Sequence, residues 1–395
     1  MESEKTMTFG TLMITGGTGS FGRAFIAHLL KHNMAERIVS VSRNAEMRYK
    51  LEQDFPDPRL LVVPGDVRQS HDLENCYRGT IDTVVHAAAE KHIVTGENYT
   101  HYVHDINVLG ARNIVAFATM HHVSTLVALS TDKACAPINA YGKSKAKAEK
   151  IVSDSGYTSV RYGNVAGSSG SVIPLFIKQQ KSGEITVTDK TMTRFHMPLS
   201  PDADVMIYEE PHSKPVMSAV ELVIYAIRNG IGGEIFVPRI PSSTVGALAM
   251  GFPDCVVKEI GIRPGEKVHE DLISAKESRR CWLNHDGMYV ILRDADMTMA
   301  NGERVPEAVC AESESITKTE CFIRKRLFAW RIPMLPLPIT TMFMTVPPEA
   351  FADHLLMCSG SLEAHACRSS FPCLALSESR RRHPRSASTG WILSC

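Results

Sequence analysis

Residues 11–22 read T-L-M-I-T-G-G-T-G-S-F-G, an apolar stretch followed at once by a glycine-rich turn. The run from Gly10 to Thr15 predicts a buried strand, and apolar residues recur at helical spacing from Phe25 to Leu30. Between a strand and a helix, such a turn lets the backbone approach a pyrophosphate, and the helix N-terminus supplies N–H donors. The glycine spacing is G-x-x-G-x-x-G, and an ordinary tight turn is the alternative interpretation. The predicted dinucleotide contacts are Gly16, Thr18, Gly19, Ser20, Phe21 and Gly22.

Predicted strands and helices alternate along the first half of the chain. Further short runs of strand-forming residues occupy 37–41, 60–64, 83–86, 126–130 and 160–162. This alternation predicts an α/β protein with a Rossmann-type, doubly wound parallel sheet and right-handed crossovers. Ligands of such sheets bind at the carboxyl ends of the strands, so the residues that follow each strand are the candidate site residues.

Residues after the second, third and fourth strands complete the predicted cofactor site. Ser42 and Arg43 follow the second strand, where NAD-binding proteins commonly carry an acidic residue for the ribose. Arg43 would instead pair with a 2′-phosphate, which favours NADP, and a solvated surface arginine is the alternative. Asp66 is expected to accept from the adenine amino group. The remaining predicted cofactor contacts are Val67, Ala87, Ala88, Ala89 and Lys91, together with Tyr141 and Lys145 farther along the chain.

The segment after Lys91 predicts one long amphipathic helix with Asn107 inside it. A polar residue in the middle of a helix is often structural, for example at a kink. The other interpretation is that Asn107 holds a water molecule in the active site.

Residues 130–145 read S-T-D-K-A-C-A-P-I-N-A-Y-G-K-S-K and carry the predicted catalytic groups. A predicted helix over 140–152 places Tyr141 and Lys145 four residues apart on one face. A nearby ammonium stabilises a phenolate, so Tyr141 is a candidate acid or base for a hydroxyl proton during hydride transfer. A Y-x-x-x-K pair alone is common on surface helices, but here it joins the glycine-rich turn and a T-D-K step. The fifth strand delivers that step to the ligand edge: Thr131, Asp132 and Lys133.

Several longer motifs resemble those of the extended short-chain dehydrogenase/reductases. More narrowly, the chain resembles the 5-inverting UDP-N-acetylglucosamine 4,6-dehydratases of the polysaccharide biosynthesis protein family. The resemblance covers roughly residues 8–200 and 219–310. The motifs are T-G-G-T-G-S-F-G (15–22), S-T-D-K with P-I-N-A-Y-G-K-S-K (130–145), R-Y-G-N-V-A-G-S-S-G-S-V-I-P-L-F (161–176), M-T-R-F (192–195), G-E-I-F-V-P-R-I-P-S (233–242) and G-I-R-P-G-E-K-V-H-E-D-L-I (261–273).

The resemblance implies roles for the five predicted catalytic residues. NADP would oxidise C4 of the sugar while Tyr141, supported by Lys145, takes the hydroxyl proton, and Thr131 would contact the sugar O4. Lys133 would remove the C5 proton, and Asp132 would protonate the departing C6 hydroxyl. Burial and the Lys145 cation are expected to lower the pKa of Lys133, so that it can act as a base. Asp132 would have to be protonated, which an apolar site favours. The alternatives are a turn cap for Asp132 and a solvated amine for Lys133.

Most of the predicted contacts to a UDP-sugar substrate follow the sixth strand. Asn164 follows the sixth strand, and a helix beginning near Val172 offers an N-terminus that suits an anion. Arg194 and Arg263 are the strongest diphosphate candidates because a guanidinium matches phosphate oxygens. Each is a surface charge in the alternative interpretation. The remaining predicted substrate contacts are Lys178 at the diphosphate, Thr186 beside uracil or ribose, Glu266 at the ribose hydroxyls, and Lys91.

The domain division follows from where the resemblance holds and where it ends. We predict an NADP-binding domain over 8–165, completed by later segments, and a smaller substrate-binding part over 166–310. Residues 201–217 are rich in proline and acidic residues and predict an inserted loop. The tail over 321–395 departs from the family and lacks periodicity, so we expect poor order there.

The bulk composition excludes several classes of protein. The chain has 395 residues, with Lys+Arg and Asp+Glu both at 43, so no net charge favours nucleic acid or a membrane surface. No apolar run is long enough for a signal peptide or a bilayer span, and the cysteines lack paired spacing. We therefore expect a cytoplasmic enzyme with no metal site and, from the resemblance, a homo-oligomer. The rival interpretations are a sugar-nucleotide 4-epimerase, a retaining dehydratase, and an NADP-binding scaffold without turnover.

Overall fold

The glycine-rich turn joins a buried strand to a twelve-residue helix in this computed structural model, as predicted. The structure describes residues 8–203, 205–208, 215–295, 297–299, 302–304, 321–325 and 328–332. Its strands are β1 (Thr11–Thr15), β2 (Arg37–Ser42), β3 (Leu60–Pro64), β4 (Thr83–His86), β5 (Thr125–Thr131), β6 (Thr158–Tyr162), β7 (Asn164–Ala166), β8 (Glu184–Val187), β9 (Thr193–Pro198), β10 (Val205–Tyr208), β11 (Ile235–Val237), β12 (Ser242–Thr244), β13 (Val256–Glu259), β14 (Cys281–Asn284), β15 (Tyr289–Ile291), β16 (Gly302–Arg304), β17 (Cys321–Lys325) and β18 (Phe328–Ile332).

The helices lie between these strands and cover both faces of the main sheet. They are α1 (Ser20–Lys31), α2 (Ala45–Asp54), α3 (Ser70–Asn75), α4 (Ile93–Asn98), α5 (Thr100–His104), α6 (Gly110–Met120), α7 (Ala140–Asp154), α8 (Val172–Gln180), α9 (Ala219–Asn229), α10 (Val245–Met250) and α11 (Ala275–Ser278). A short π-helix spans Asp105–Leu109, and a 3₁₀ turn spans Asp132–Ala134.

The main sheet has the predicted doubly wound parallel topology. Its order within the described residues is β16-β14-β15-β11-β6-β5-β4-β1-β2-β3, and the strands from β11 to β3 pair in parallel. Strands β14, β15 and β16 extend this sheet by antiparallel pairing. The strand order reverses between β1 and β4, and a crevice opens there at the carboxyl ends of the strands.

Two apolar cores lie on opposite faces of the sheet and explain why it is covered on both sides. One core packs α1 and α9 against the strands through residues such as Phe25 and Val223. The other packs α3, α6 and α7 through residues such as Leu73 and Ile114. Parallel sheets are covered in this way because their crossover helices lie on both faces. The arrangement confirms the predicted fold class.

The predicted long helix after Lys91 is interrupted. Helices α4 and α5 are short, and a π-helical turn over 105–109 precedes α6. Asn107 lies in this turn and is buried. Its side chain accepts from the Glu90 backbone N–H at 2.8 Å and donates to the Glu90 carbonyl and the Ser144 hydroxyl. These contacts match the structural interpretation of Asn107, since they tie the turn to the segment after β4.

The segment predicted as an inserted loop, 201–217, is not a loop throughout. Strand β10 lies within it and pairs with β17, which pairs in turn with β18. Residues 204 and 209–214 lie outside the described residues. Apart from the backbone of β17 and β18, the tail over 321–395 also lies outside the described residues, and so does the expectation made for it. In the described part of the chain, no helix is both long and apolar enough to cross a bilayer.

Candidate active site

The glycine-rich turn forms a cradle that larger residues would fill. Gly16 has φ +74°, and a Cβ atom there would lie 2.8 Å from the backbone nitrogen of Ala88. A Cβ atom at Gly22 would overlap Gly17. Gly19 is the N-cap of α1, no side chain caps the helix, and its first turn carries no acidic residue. The cradle therefore fits an anionic group such as a dinucleotide pyrophosphate.

Two adjoining cavities open at the carboxyl edge of the sheet on either side of this cradle. The larger cavity measures about 690 Å³ and the smaller about 530 Å³. The predicted site residues that line the larger cavity are Gly16, Gly19, Ser20, Phe21, Gly22, Ala87, Ala89, Lys91, Thr131, Lys133, Tyr141, Lys145, Asn164, Arg263 and Glu266. Those that line the smaller cavity are Gly16, Thr18, Gly19, Ser42, Arg43, Val67, Ala87, Ala88 and Ala89.

The predicted 2′-phosphate ligand stands at the rim of the smaller cavity. The Arg43 side chain is 45% exposed, and its guanidinium lies 3.7 Å from the Asp66 carboxylate. Asp66 lines neither cavity and accepts hydrogen bonds from Arg68 at 2.6–3.1 Å. Burial raises the pKa of Asp66. The Arg68 hydrogen bonds and the Arg43 charge together lower it by more, so the pKa lies below its usual value. The Asp66 carboxylate is thus already satisfied by two arginines.

The T-D-K step forms a 3₁₀ turn at the end of β5, with the carboxylate of Asp132 buried beneath it. Asp132 has no exposed surface, and its Oδ1 accepts from the Thr131 hydroxyl at 2.8 Å and from the Lys133 backbone N–H at 2.9 Å. The same oxygen accepts from Lys133 Nζ at 3.0 Å. Its other oxygen, Oδ2, is buried without a hydrogen-bond partner. Asp132 and Lys133 are therefore a hydrogen-bonded ion pair in which Lys133 lines the larger cavity and Asp132 is buried behind it.

The expectation that the pKa of Lys133 is lowered is wrong. Burial does lower it, but the charges of Asp132 and Glu270 raise it more, to above its usual value. Glu270 Oε1 lies 3.6 Å from Lys133 Nζ, and Glu270 is itself buried. The sequence analysis assigned no role to Glu270, although it lies in the quoted motif 261–273. Its only sequence signal is its place in that motif, in the run V-H-E-D-L-I.

Tyr141 and Lys145 are both buried on α7 and both line the larger cavity, but they differ from expectation. Burial raises the pKa of Tyr141 to about 12, and the opposing cation is Lys133 rather than Lys145. Lys145 Nζ donates to the Leu129 carbonyl, and burial lowers its pKa to about 8. The expectation that Lys145 favours the Tyr141 phenolate is therefore wrong for these positions, because Lys133 is the cation that opposes burial.

Four of the predicted substrate contacts do not line either cavity: Val172, Lys178, Thr186 and Arg194. Lys178 is exposed on α8, and Thr186 accepts from the Gln179 side chain at 2.7 Å. Arg194 donates to the carbonyls of Thr193, Lys267 and Val268 at 2.7–3.1 Å. Its guanidinium is used to hold a loop. By contrast, Arg263 lies at the cavity with its guanidinium 2.8 Å from the Glu266 carboxylate.

Lys91 connects the segment after β4 to the loop that follows β7. Its ammonium donates to the Ser169 carbonyl at 2.8 Å, and the Ser169 N–H donates to the Ser20 hydroxyl at 3.1 Å. Burial lowers the pKa of Lys91, and the neighbouring Glu90 opposes this. The first turn of α1 and the second half of the chain therefore meet across the larger cavity.

Comparisons with known proteins agree with this architecture. A family model described as polysaccharide biosynthesis protein matches residues 12–292. A UDP-glucose 4-epimerase of Rickettsia massiliae is 40% identical over 285 residues, covering 68% of this chain and 78% of the relative. The same-named protein of Rickettsia prowazekii is 39% identical with the same coverage.

Among solved structures, Pen from Bacillus thuringiensis has a TM-score of 0.67 at 28% identity and covers 78% of this chain and 96% of its own. DesIV, a dTDP-glucose 4,6-dehydratase from Streptomyces venezuelae solved with NAD and TYD, has a TM-score of 0.58. It is 22% identical and covers 68% of this chain and 90% of its own. At that identity the likeness supports the fold alone.

Proposed function

The chain belongs to the polysaccharide biosynthesis protein family, and we propose that it is an NADP-dependent UDP-N-acetylglucosamine 4,6-dehydratase that inverts C5. The observation that carries the proposal is the buried Asp132–Lys133 pair beside Tyr141. A 4-epimerase needs proton transfer only at the C4 hydroxyl. A 4,6-elimination also needs a base for the C5 proton and an acid for the C6 oxygen, and this pair offers one of each.

The cofactor proposal depends on the glycine cradle and the smaller cavity. The uncapped N-terminus of α1 suits the pyrophosphate, and the small side chains of Ala87 to Ala89 leave room along the cavity wall. Arg43, which lines the smaller cavity and is 45% exposed, is proposed to pair with the 2′-phosphate that distinguishes NADP from NAD. When bound, the nicotinamide would supply oxidation at C4 and the later return of the electrons.

Tyr141 is the proposed group that takes the C4 hydroxyl proton. Its phenol is buried and lines the larger cavity, with Thr131 and Lys133 as its polar neighbours. Because its pKa is raised to about 12, the phenol is protonated at neutral pH in the free chain. Tyr141 can therefore act as a base only after its own proton leaves, and an added positive charge nearby would favour that loss. The cation that opposes burial at Tyr141 is Lys133, and Lys145, which lines the same cavity, is proposed to contact the bound cofactor.

Lys133 and Asp132 can reach the forms that elimination requires by one internal proton transfer. In the resting pair Lys133 is an ammonium and donates to Asp132 Oδ1 at 3.0 Å. Moving that proton along the hydrogen bond breaks an N–H bond and forms an O–H bond. The products are an amine, which can take the C5 proton, and a carboxylic acid, which can protonate the C6 oxygen. Both groups become neutral, which a buried site favours.

The UDP-sugar would occupy the part of the larger cavity away from the cradle. Arg263 and Lys91 are the proposed diphosphate contacts, with Glu266 at the ribose and Asn164 at the sugar or phosphate. Arg263 and Glu266 come from 166–310, which we therefore retain as the proposed substrate-binding part. The homo-oligomer remains a prediction.

Incubation with UDP-N-acetylglucosamine and NADP in D₂O, followed by NMR of the product, tests the proposal. The expected product is a 4-keto-6-deoxy sugar nucleotide with inverted C5 and solvent deuterium at that carbon. A product that retains O6 and differs only at C4 would reject the dehydratase. Bound NADP without any product would point to the scaffold.

A UDP-sugar 4-epimerase is the second candidate, because the 40% identical Rickettsia relatives carry the name UDP-glucose 4-epimerase. Tyr141 and Lys145 would suffice for that reaction. The same NMR assay with UDP-glucose separates the candidates, since an epimerase yields UDP-galactose without loss of O6.

Replacing Arg43 with alanine is expected to weaken NADP binding by about tenfold or more and to leave NAD binding nearly unchanged. One charge-assisted contact to a phosphate contributes about 1.5–3 kcal/mol. Isothermal titration with both dinucleotides checks this, and NAD serves as the internal control because it lacks the 2′-phosphate. Equal loss for both cofactors would show that Arg43 supports the fold of the site instead.

A further inference from the structure

We propose that Glu270 is a further positioning residue, which together with Asp132 brackets the Lys133 side chain and holds it as an ammonium ion in the resting site. Its importance for catalysis rests on the proposed function, whereas the bracket itself rests on the described side chains. Glu270 Oε1 lies 3.6 Å from Lys133 Nζ, and Asp132 Oδ1 lies 3.0 Å from the same nitrogen.

Burial makes Glu270 depend on this contact. The residue is 4% exposed, and its second oxygen, Oε2, is buried without a hydrogen-bond partner. Within the part of the chain that the structure describes, its ion pair within 4.0 Å is with Lys133. A buried carboxylate without donors is costly to ionise unless a cation lies close by. Burial raises the pKa of Glu270 above its usual value, and the Lys133 cation is the strongest group that opposes this rise. The two side chains therefore stabilise each other's charged forms against the cost of burial.

The loop that carries Glu270 is held just before that residue by contacts to β9 and to the end of the T-D-K turn. Arg194 holds the backbone just before Glu270 by donating to the carbonyls of Lys267 and Val268. Lys267 Nζ in turn donates at 2.8 Å to the carbonyl of Cys135, directly after the 3₁₀ turn. The Glu270 carboxylate is therefore delivered to a defined position beside Lys133. This also gives Arg194 a function as an anchor of that loop.

Four charged or titratable groups face the Lys133 ammonium: Asp132 on its own turn, Glu270 from the loop, Arg194 from β9 and Tyr141 from α7. Arg194 opposes the ammonium, and the two carboxylates favour it. Burial lowers the pKa of Lys133, yet the carboxylates raise it above its usual value. Asp132 remains when Glu270 is neutralised. The pKa of Lys133 should therefore fall, but Asp132 should still favour the ammonium form.

With the two carboxylates beside it, Lys133 can act as a base only after its ammonium has lost a proton. An ammonium at Lys133 cannot take the C5 proton, so the site must first shift a proton to Asp132 or lose it to solvent. The Glu270 charge opposes both routes. Dehydration should therefore rise with pH along a limb whose position Glu270 helps to set.

Competitive acetylation of Lys133 by acetic anhydride, followed across pH by mass spectrometry, tests the bracket without substrate or turnover. In Glu270→Gln the midpoint for labelling of Lys133 is expected to move to lower pH by about one to three units, because an anion within 4–6 Å shifts a pKa by that much. Glu270→Asp, which retracts the carboxylate by one methylene, is expected to give an intermediate midpoint. Glu259→Gln, at an exposed carboxylate on β13, is the matched control and should leave the midpoint at its wild-type value.

Midpoints for both Glu270 variants that equal the wild-type value would overturn the proposal. The pH profile of kcat/KM for dehydration gives the second arm, in which Glu270→Gln should move the acidic limb to lower pH. If kcat/KM instead falls equally at every pH and the acidic limb does not move, Glu270 contributes only through packing. If labelling shifts but the wild-type protein does not dehydrate the sugar, the bracket stands and the proposed function fails.

Discussion

Replacing Lys133 with methionine is expected to reduce dehydration of UDP-N-acetylglucosamine by about 10²- to 10⁴-fold, the usual contribution of a general base. Methionine keeps much of the length of the side chain and removes the ammonium. No other amine in the described residues pairs with Asp132, so the C5 proton would have no base and the internal proton transfer would have no donor. Product formation followed by NMR measures the loss.

The variant should still bind NADP, because Lys133 lines only the larger cavity and lies outside the glycine cradle. Titration with NADP checks this, and thermal unfolding checks that the two carboxylates left behind do not unfold the site. Lys143→Met is the matched control, since Lys143 lies on α7 and is exposed. Retained dehydration in Lys133→Met would reject Lys133 as the base. Lost NADP binding would show that Lys133 is structural.

The dinucleotide half could be predicted closely from the sequence because its signals are local. A buried parallel strand is a short apolar run, and the turn after it must carry glycine where a Cβ atom would collide, as at Gly16. The predicted strands over 60–64 and 83–86 agree with β3 and β4 to the residue. The feature that the sequence did not predict in this half depends on tertiary contacts. The π-helical turn at Asn107 forms where that side chain bonds across to Glu90 and Ser144.

The electrostatics of the candidate site could not be predicted, because they depend on residues distant in the sequence. Glu270 lies far along the chain from Lys133, yet its charge adds to that of the adjacent Asp132 in raising the pKa of this lysine, opposite to the expected direction. Arg194 looked like a phosphate ligand because a guanidinium suits phosphate oxygens. The chain instead uses its donors on the carbonyls before Glu270. A residue type indicates which partners are possible, and the packing of the loops determines which one is present.

The substrate half was predicted less well for a related reason. Its elements are short and pair in small sheets, such as β12-β9-β7 and β13-β8, which local patterns do not specify. Lys178 and Thr186 were chosen for chemistry that fits a nucleotide, but neither reaches a cavity. Arg263 and Glu266 do reach one, and both belong to a loop closed by glycine at 265, with φ +80°. Such turn chemistry is local again, which explains why that motif was informative.

Replacing Arg161 with methionine is expected to lower the free energy of unfolding by about 3–5 kcal/mol, the usual cost of removing one partner of a buried ion pair. Arg161 is 1% exposed on β6 and donates to Glu149 at 2.7–2.9 Å and to Glu277 at 2.7–3.1 Å. It also donates to the Leu272 carbonyl at 2.9 Å. Its loss would leave two buried carboxylates unpaired and free the segment that follows Glu270. Urea unfolding measures the loss, and Lys150→Met, at an exposed ion pair with Asp154, should cost less than about 1 kcal/mol.

The same variant should change how stability depends on acid. Burial raises the pKa of Glu277. The charge and hydrogen bonds of Arg161 lower it by more, so the net shift is from 4.5 to about 2. Because the folded value lies below the unfolded one, this pairing stabilises the fold fully above about pH 4.5 and less as the pH falls toward 2. Without Arg161 the Glu277 contribution to that acid-side slope should disappear or reverse sign. An unchanged slope in Arg161→Met would mean that Arg161 does not hold Glu277 ionised, and that the network joins β6, α7 and α11 by packing alone.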